Sequence, residues 1–143
     1  MSTLEEVLEY MEERFGIRRE RFRDFRLYLG SKGRIFLGPK NVPPKVNPVT
    51  IGILAFRTGN SIKPTSNLIQ IFGDSIDRNA VELSREEAIA YIRGEDLGQK
   101  PSDATDGYVV LRYRSMTLGI GMLKEGRIRN MLPKARRQET RLI

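Results

Sequence analysis

Three stretches late in the chain alternate apolar and polar positions, and each has the length of a short strand. In residues 107–114, Val109, Leu111 and Tyr113 share one face while Tyr108, Val110, Arg112 and Arg114 share the other, because successive strand side chains point opposite ways. Residues 118–124 put Gly119 and Gly121 on one face and Leu118, Ile120 and Met122 on the other. Residues 127–132 send Arg127 and Arg129 one way, and Ile128, Asn130 and Leu132 the other. Asn130 thus points with the apolar set, where its amide is expected to satisfy buried backbone groups rather than read a base. Pro133 ends the run, and a basic tail begins at Lys134.

Earlier periods are helical as well as alternating. Leu4, Val7, Leu8, Met11 and Phe15 predict an amphipathic helix over residues 3–15, capped by Ser2 or Thr3 with Glu5 or Glu6 and stopped by Gly16. Residues 17–25 predict a short helix with a basic face. Residues 26–29 and 34–37 read as a hairpin around Gly30-Ser31-Lys32-Gly33. The proline-rich connection from Gly38 to Pro48 cannot be helix interior and marks the predicted domain boundary, giving units 1–48 and 49–143. Residues 49–56 predict a buried strand, and residues 67–72 a helix with Pro64 at its first turn. Lys63 stands directly before that helix start, where unpaired N–H groups favour an anion. Residues 80–83 predict a strand, Ser84-Arg85-Glu86-Glu87 a capping box, and Gly94 the left-handed end of the helix it opens. Residues 95–106 are expected to be an acidic loop.

Charge changes sign in blocks. Residues 74–106 hold nine acids and four bases, whereas residues 107–137 hold eight Lys or Arg and one Glu. A half-apolar sheet displaying cations suggests a phosphate-backbone partner. The chain has 143 residues, no Cys and no His, which removes thiol nucleophiles, zinc clusters and the commonest general base. No cofactor or metal is expected. No run of eighteen apolar residues occurs and the first residues are acidic, so a cytoplasmic protein without membrane contact is expected.

An ordered series then resembles a known family: Lys63-Pro64-Thr65-Ser66, residues 68–73, residues 79–83, Tyr91-Ile92-Arg93-Gly94, Gly107-Tyr108-Val109, Leu118-Gly119-Ile120-Gly121 and finally Asn130-Met131-Leu132-Pro133-Lys134. The series is similar to the C-terminal RNA-binding region of Sun-family RNA cytosine-5 methyltransferases, a PUA-like module. The first forty residues resemble, more loosely, the pre-PUA domain of related ribosome-assembly proteins. The resemblance implies an α+β chain: a small helix-plus-hairpin unit followed by a PUA-like mixed β-barrel with flanking helices. It also implies a freestanding RNA-binding module and not the enzyme, since the family's cysteine and S-adenosylmethionine domain have no counterpart here. The partner implied is structured rRNA or tRNA, with a separate RNA-modifying enzyme or a ribosome-assembly factor as a further partner. RNA contacts are expected from Lys63, Arg112, Arg114, Lys124, Arg127, Arg129, Lys134, Arg136 and Arg137. Gly119 and Gly121 allow close backbone approach, although a barrel corner explains them as well.

Two other classes compete. A protein adaptor would dock a basic partner through acidic residues 74–106, and a small metal-dependent enzyme would use Asp74 and Asp77.

Overall fold

The computed structural model describes residues 4–41, 45 and 52–133. Its packing divides the chain into two units, 1–77 and 78–143. The sequence places the boundary at 48/49. The division falls later because the strand following the proline-rich stretch pairs back onto the hairpin before it.

In the first unit, helix α1 (Leu4–Phe15) buries Val7, Met11 and Phe15, four residues apart on one stripe. The helix expected over 17–25 is only a 3-10 turn, Arg19–Phe22. Strand β1 (Phe25–Leu29) already begins at Phe25, opposite Pro39, and leaves room for a single turn. Strands β1, β2 (Arg34–Pro39), β3 (Ile53–Thr58) and β4 (Ile62–Pro64) form an antiparallel sheet in that order. The hairpin of β1 and β2 is the one the sequence predicts. Pro64 lies in β4 rather than in a helix, and Thr65 caps α2 (Ser66–Ile71), its Oγ1 accepting from the Leu68 N–H at 3.3 Å. The part of the predicted strand before residue 52 and the cap of α1 lie outside the described residues.

The second unit is built on a mixed sheet in the order β5-β7-β8-β9-β6. Strand β5 (Ala80–Glu82) runs parallel to β7 (Gly107–Tyr113), which demands a crossover, and helix α3 (Arg85–Ile92) supplies part of it. β8 (Met116–Lys124) and β9 (Arg127–Asn130) follow as hairpins, and β6 (Gly98–Gln99), inside the predicted loop, pairs with β9. The sheet curls into a half-barrel, an α+β arrangement of the PUA-like kind. Its concave core gathers Val81, Tyr91, Val109, Leu111, Leu123 and Ile128, all buried.

α3 is fastened at both ends. Ser84 accepts from the Glu87 N–H at 3.1 Å while Glu87 accepts from the Ser84 N–H at 2.8 Å, closing the predicted capping box. At the other end Gly94, at φ +94°, donates to Tyr91 at 2.9 Å and Glu95 donates to Ala90 at 3.0 Å, the paired bonds of a Schellman cap. Asn130 completes that end. Its Nδ2 donates to the carbonyls of Tyr91 (2.7 Å) and Glu95 (2.9 Å), and its Oδ1 accepts from the Leu132 N–H at 2.8 Å. The amide thus serves buried backbone groups, as its apolar company foretold.

Two details of β8 depart from simple alternation. Between the pairs Leu111↔Gly119 and Arg112↔Thr117 the register shifts, and the extra residue is Leu118. Leu118 therefore packs against the concave core instead of sharing the Ile120 and Met122 face. Gly121 is a packing position: a Cβ there would lie 2.8 Å from Ile128 Cγ2 and 3.1 Å from the Arg129 carbonyl. Among the described residues no helix is long and apolar enough to cross a membrane, and no group of three or more acids is placed to hold a metal.

Candidate nucleic-acid interface

The register of β8 and β9 decides which cations meet. The connecting turn is Glu125-Gly126, with φ of +51° and +80°, the two left-handed residues of a type I′ hairpin. That turn sets Lys124 opposite Arg127, Leu123 opposite Ile128 and Met122 opposite Arg129. Directly opposed residues share a face. Leu123 and Ile128 take the core face, so Lys124, Arg127 and Arg129 stand together with Met122 on the other, and all three cations are exposed. None of them has an ion-pair partner among the described residues.

Beside these cations lies a cleft of about 650 Å³, lined by Lys124, Arg127, Arg129, Met122 and Gly98, with Asp96 and Glu125 in its wall. Asp96 is held by its own bond, Oδ1 accepting from the Asn130 N–H at 2.8 Å. The turn is braced from outside the hairpin, because Glu125 N–H donates to Asp106 at 3.2 Å and Lys100 N–H donates to Gly126 at 2.9 Å. Lys100 also pairs with Glu87 at 2.9 Å. Burial pushes the Glu87 carboxyl up, but the Ser84 N–H and the Lys100 ammonium outweigh it and hold the group below the usual carboxylate range.

The other expected cations are not all gathered here. Arg112 shares the face of Tyr108 on β7 but sits four residues farther along, about 13 Å at strand rise, opposite Thr117 and Glu82. Arg114 occupies the β7–β8 turn at φ +49°, with its guanidinium 5.3 Å from the Tyr113 ring, at the opposite end of β8 from Lys124. Lys134, Arg136 and Arg137 lie outside the described residues.

Lys63 belongs to the first unit and to β4, not to a helix start, and α2 has its first turn already capped by Thr65. What stands beside Lys63 was not legible in the sequence. Arg57 lies directly opposite it on β3, and Arg34 lies directly opposite Arg57 on β2. Burial, with the Arg57 charge adding to it, holds the Lys63 ammonium below the usual lysine range.

Comparison with known proteins places part of the chain among known domains. A curated relative, the ribosomal RNA small subunit methyltransferase F of Psychromonas ingrahamii, is 31% identical over 108 residues, covering 70% of this chain and 22% of the relative. The chain thus spans about a fifth of that relative's length. Residues 78–138, which take in the curled sheet and its cationic hairpin, match the family described as the methyltransferase RsmF PUA domain. That segment belongs to the PUA-like domains carried by Sun-family RNA methyltransferases.

Proposed function

We propose that the chain is an RNA-binding module that holds structured RNA, in the first place small-subunit ribosomal RNA, through its phosphate backbone and so serves base methylation in the cytoplasm. The observation that carries this reading is the β8–β9 face, where Lys124, Arg127 and Arg129 stand exposed together without counter-ions among the described residues. A hairpin that fixes the backbone of these cations leaves only their side chains to be ordered when they meet phosphates. Glu125 at the cleft offers an acceptor for a 2′-hydroxyl group, which distinguishes RNA from DNA. The name of the relative in Psychromonas points to ribosomal RNA and to methylation as the chemistry served. Of the acids on which the adaptor reading would rest, Glu87, Asp96 and Asp106 already accept bonds from backbone N–H groups or Lys100 within the fold.

The test is binding of a small-subunit rRNA fragment as a function of salt. Each phosphate neutralised adds about 0.7–0.9 to the slope of log affinity against log salt. Replacing Lys124, Arg127 and Arg129 together by Gln is expected to lower that slope by roughly 2–3 and to weaken all structured RNAs alike. An unchanged slope and affinity would refute the assignment.

A further inference from the structure

The first unit carries a second charged feature that the β8–β9 face does not explain. Arg34, Arg57 and Lys63 form one cross-strand row over β2, β3 and β4. The adjacent row is Ile35, Phe56 and Pro64, all buried, so alternation turns the three cations to the opposite face of the sheet. Neighbouring strands lie about 4.8 Å apart, which roots three like charges within roughly 10 Å. Like charges directly opposite each other destabilise a sheet. No acid relieves them: none of the three has an ion-pair partner among the described residues, and residues 41–73 contain no Asp or Glu at all. The Lys63 ammonium is held below the usual lysine range first by burial and second by the Arg57 charge opposite it.

The row is also held in place. Arg34 donates from Nε to the Ser31 carbonyl at 3.1 Å and from Nη2 to Ser31 Oγ at 2.7 Å, and its guanidinium lies 5.6 Å from the Phe36 ring. Thr58, next to Arg57, donates its hydroxyl to the Gly33 carbonyl at 2.9 Å and ties the row to the β1–β2 turn. Cations rooted in one line by strand register, with no paired acid among the described residues, are complementary to an anion from outside.

We propose that Arg34, Arg57 and Lys63 are a second phosphate-backbone contact site, through which the N-terminal unit takes part in binding the RNA. This rests on the RNA reading above but not on the β8–β9 residues. The experiment compares the parent chain, an R34Q/R57Q/K63Q variant and the K124Q/R127Q/R129Q variant, each titrated with the same rRNA fragment at several salt concentrations. Removing the three phosphate partners of the N-terminal row should shrink the fall in affinity between about 50 and 200 mM salt by roughly 20- to 40-fold. Thermal melting provides the control on folding. Relief of the repulsion offsets the lost Arg34 bonds to Ser31, so R34Q/R57Q/K63Q is expected to melt within about 4 °C of the parent chain.

The outcomes separate the two claims. If only the β8–β9 variant changes the salt slope, the second site is refuted and the RNA function stands. A slope that falls only with the N-terminal row supports the second site and refutes the β8–β9 assignment. A parent chain that fails to bind RNA refutes both. An equal loss of affinity for poly-glutamate in the R34Q/R57Q/K63Q variant would reassign the row to an acidic protein and overturn the proposal.

Discussion

Asn130 offers the sharpest test of the distinction between a side chain that builds the fold and one that touches a ligand. It is 6% exposed, and its amide makes three bonds of 2.7–2.9 Å to the main chain. In an Asn130→Leu variant the shape is nearly kept but all three bonds go. The Glu95 carbonyl lies on an exposed residue and water can replace its donor. The Tyr91 carbonyl keeps its bond from the Gly94 N–H at 2.9 Å. The Leu132 N–H loses its Asn130 acceptor in a buried position. Removing the acceptor of a buried donor costs about 1–3 kcal/mol and a second lost neutral bond about 0.5–1.5, for a sum near 2–4 kcal/mol. At about 3–4 °C per kcal/mol for a chain of this size, Tm should drop by roughly 6–16 °C.

The assay is thermal unfolding followed by far-UV circular dichroism, with hydrogen exchange at the Leu132 amide as the local readout. An Asn130→Asp variant sharpens it. The carboxylate keeps the acceptor for Leu132 but turns a second oxygen toward two carbonyls, which raises its folded pKa above the unfolded value near 4. A raised folded pKa means stability that is present below the unfolded pKa and lost as pH rises through the folded one. The gap between N130D and the parent chain should therefore narrow on acidification. A leucine variant that melts within about 1 °C of the parent, yet loses RNA affinity, would refute the structural role and assign the amide to the ligand.

Two further outcomes follow from the same unit. Gly121→Ala forces a Cβ against Ile128 Cγ2 and the Arg129 carbonyl, and overpacking of this kind should cost about 1–3 kcal/mol, visible as a lower urea midpoint. Glu87, whose carboxyl is held below its usual range, contributes stability that is present above that range and lost as pH falls through its folded pKa. Glu87→Gln should cost about 0.5–1 kcal/mol at neutral pH, with the difference vanishing in melts carried down to about pH 3.

Alternation identifies strands where one face meets a core. β9 and the end of β8 were legible because Leu123 and Ile128 join the core while Lys124, Arg127 and Arg129 beside them stay exposed. β7 was legible from the apolar row Val109, Leu111 and Tyr113, although Val110 between them is buried too. Asn130 was legible for the same reason, as a lone amide in an apolar row. β4 and β6 were not, since runs of three and two residues carry no measurable period and exist only because a partner strand supplies the bonds. Alternation alone puts Leu118 on the wrong face because a bulge belongs to a pair of strands, not to one. The Arg34, Arg57 and Lys63 row was invisible on the same ground: its members are 23 and 6 positions apart, and only register brings them into line.

Register is also what ties the candidate interface to stability. A slip of one residue between β8 and β9 would turn Arg127 and Arg129 into the concave core and put Ile128 outside. Burying Ile128 and Leu123 is worth about 1.5–3 kcal/mol each, and an unpaired buried arginine would cost several more, so the slipped state is strongly disfavoured. The Glu125-Gly126 turn, with both residues in the left-handed region, excludes it a second time by fixing the loop at two residues. The cations on this hairpin therefore need no counter-ion to hold them in place. Apolar burial on one side of β8 and β9 positions the charge on the other, and that charge is left available to an anion from outside.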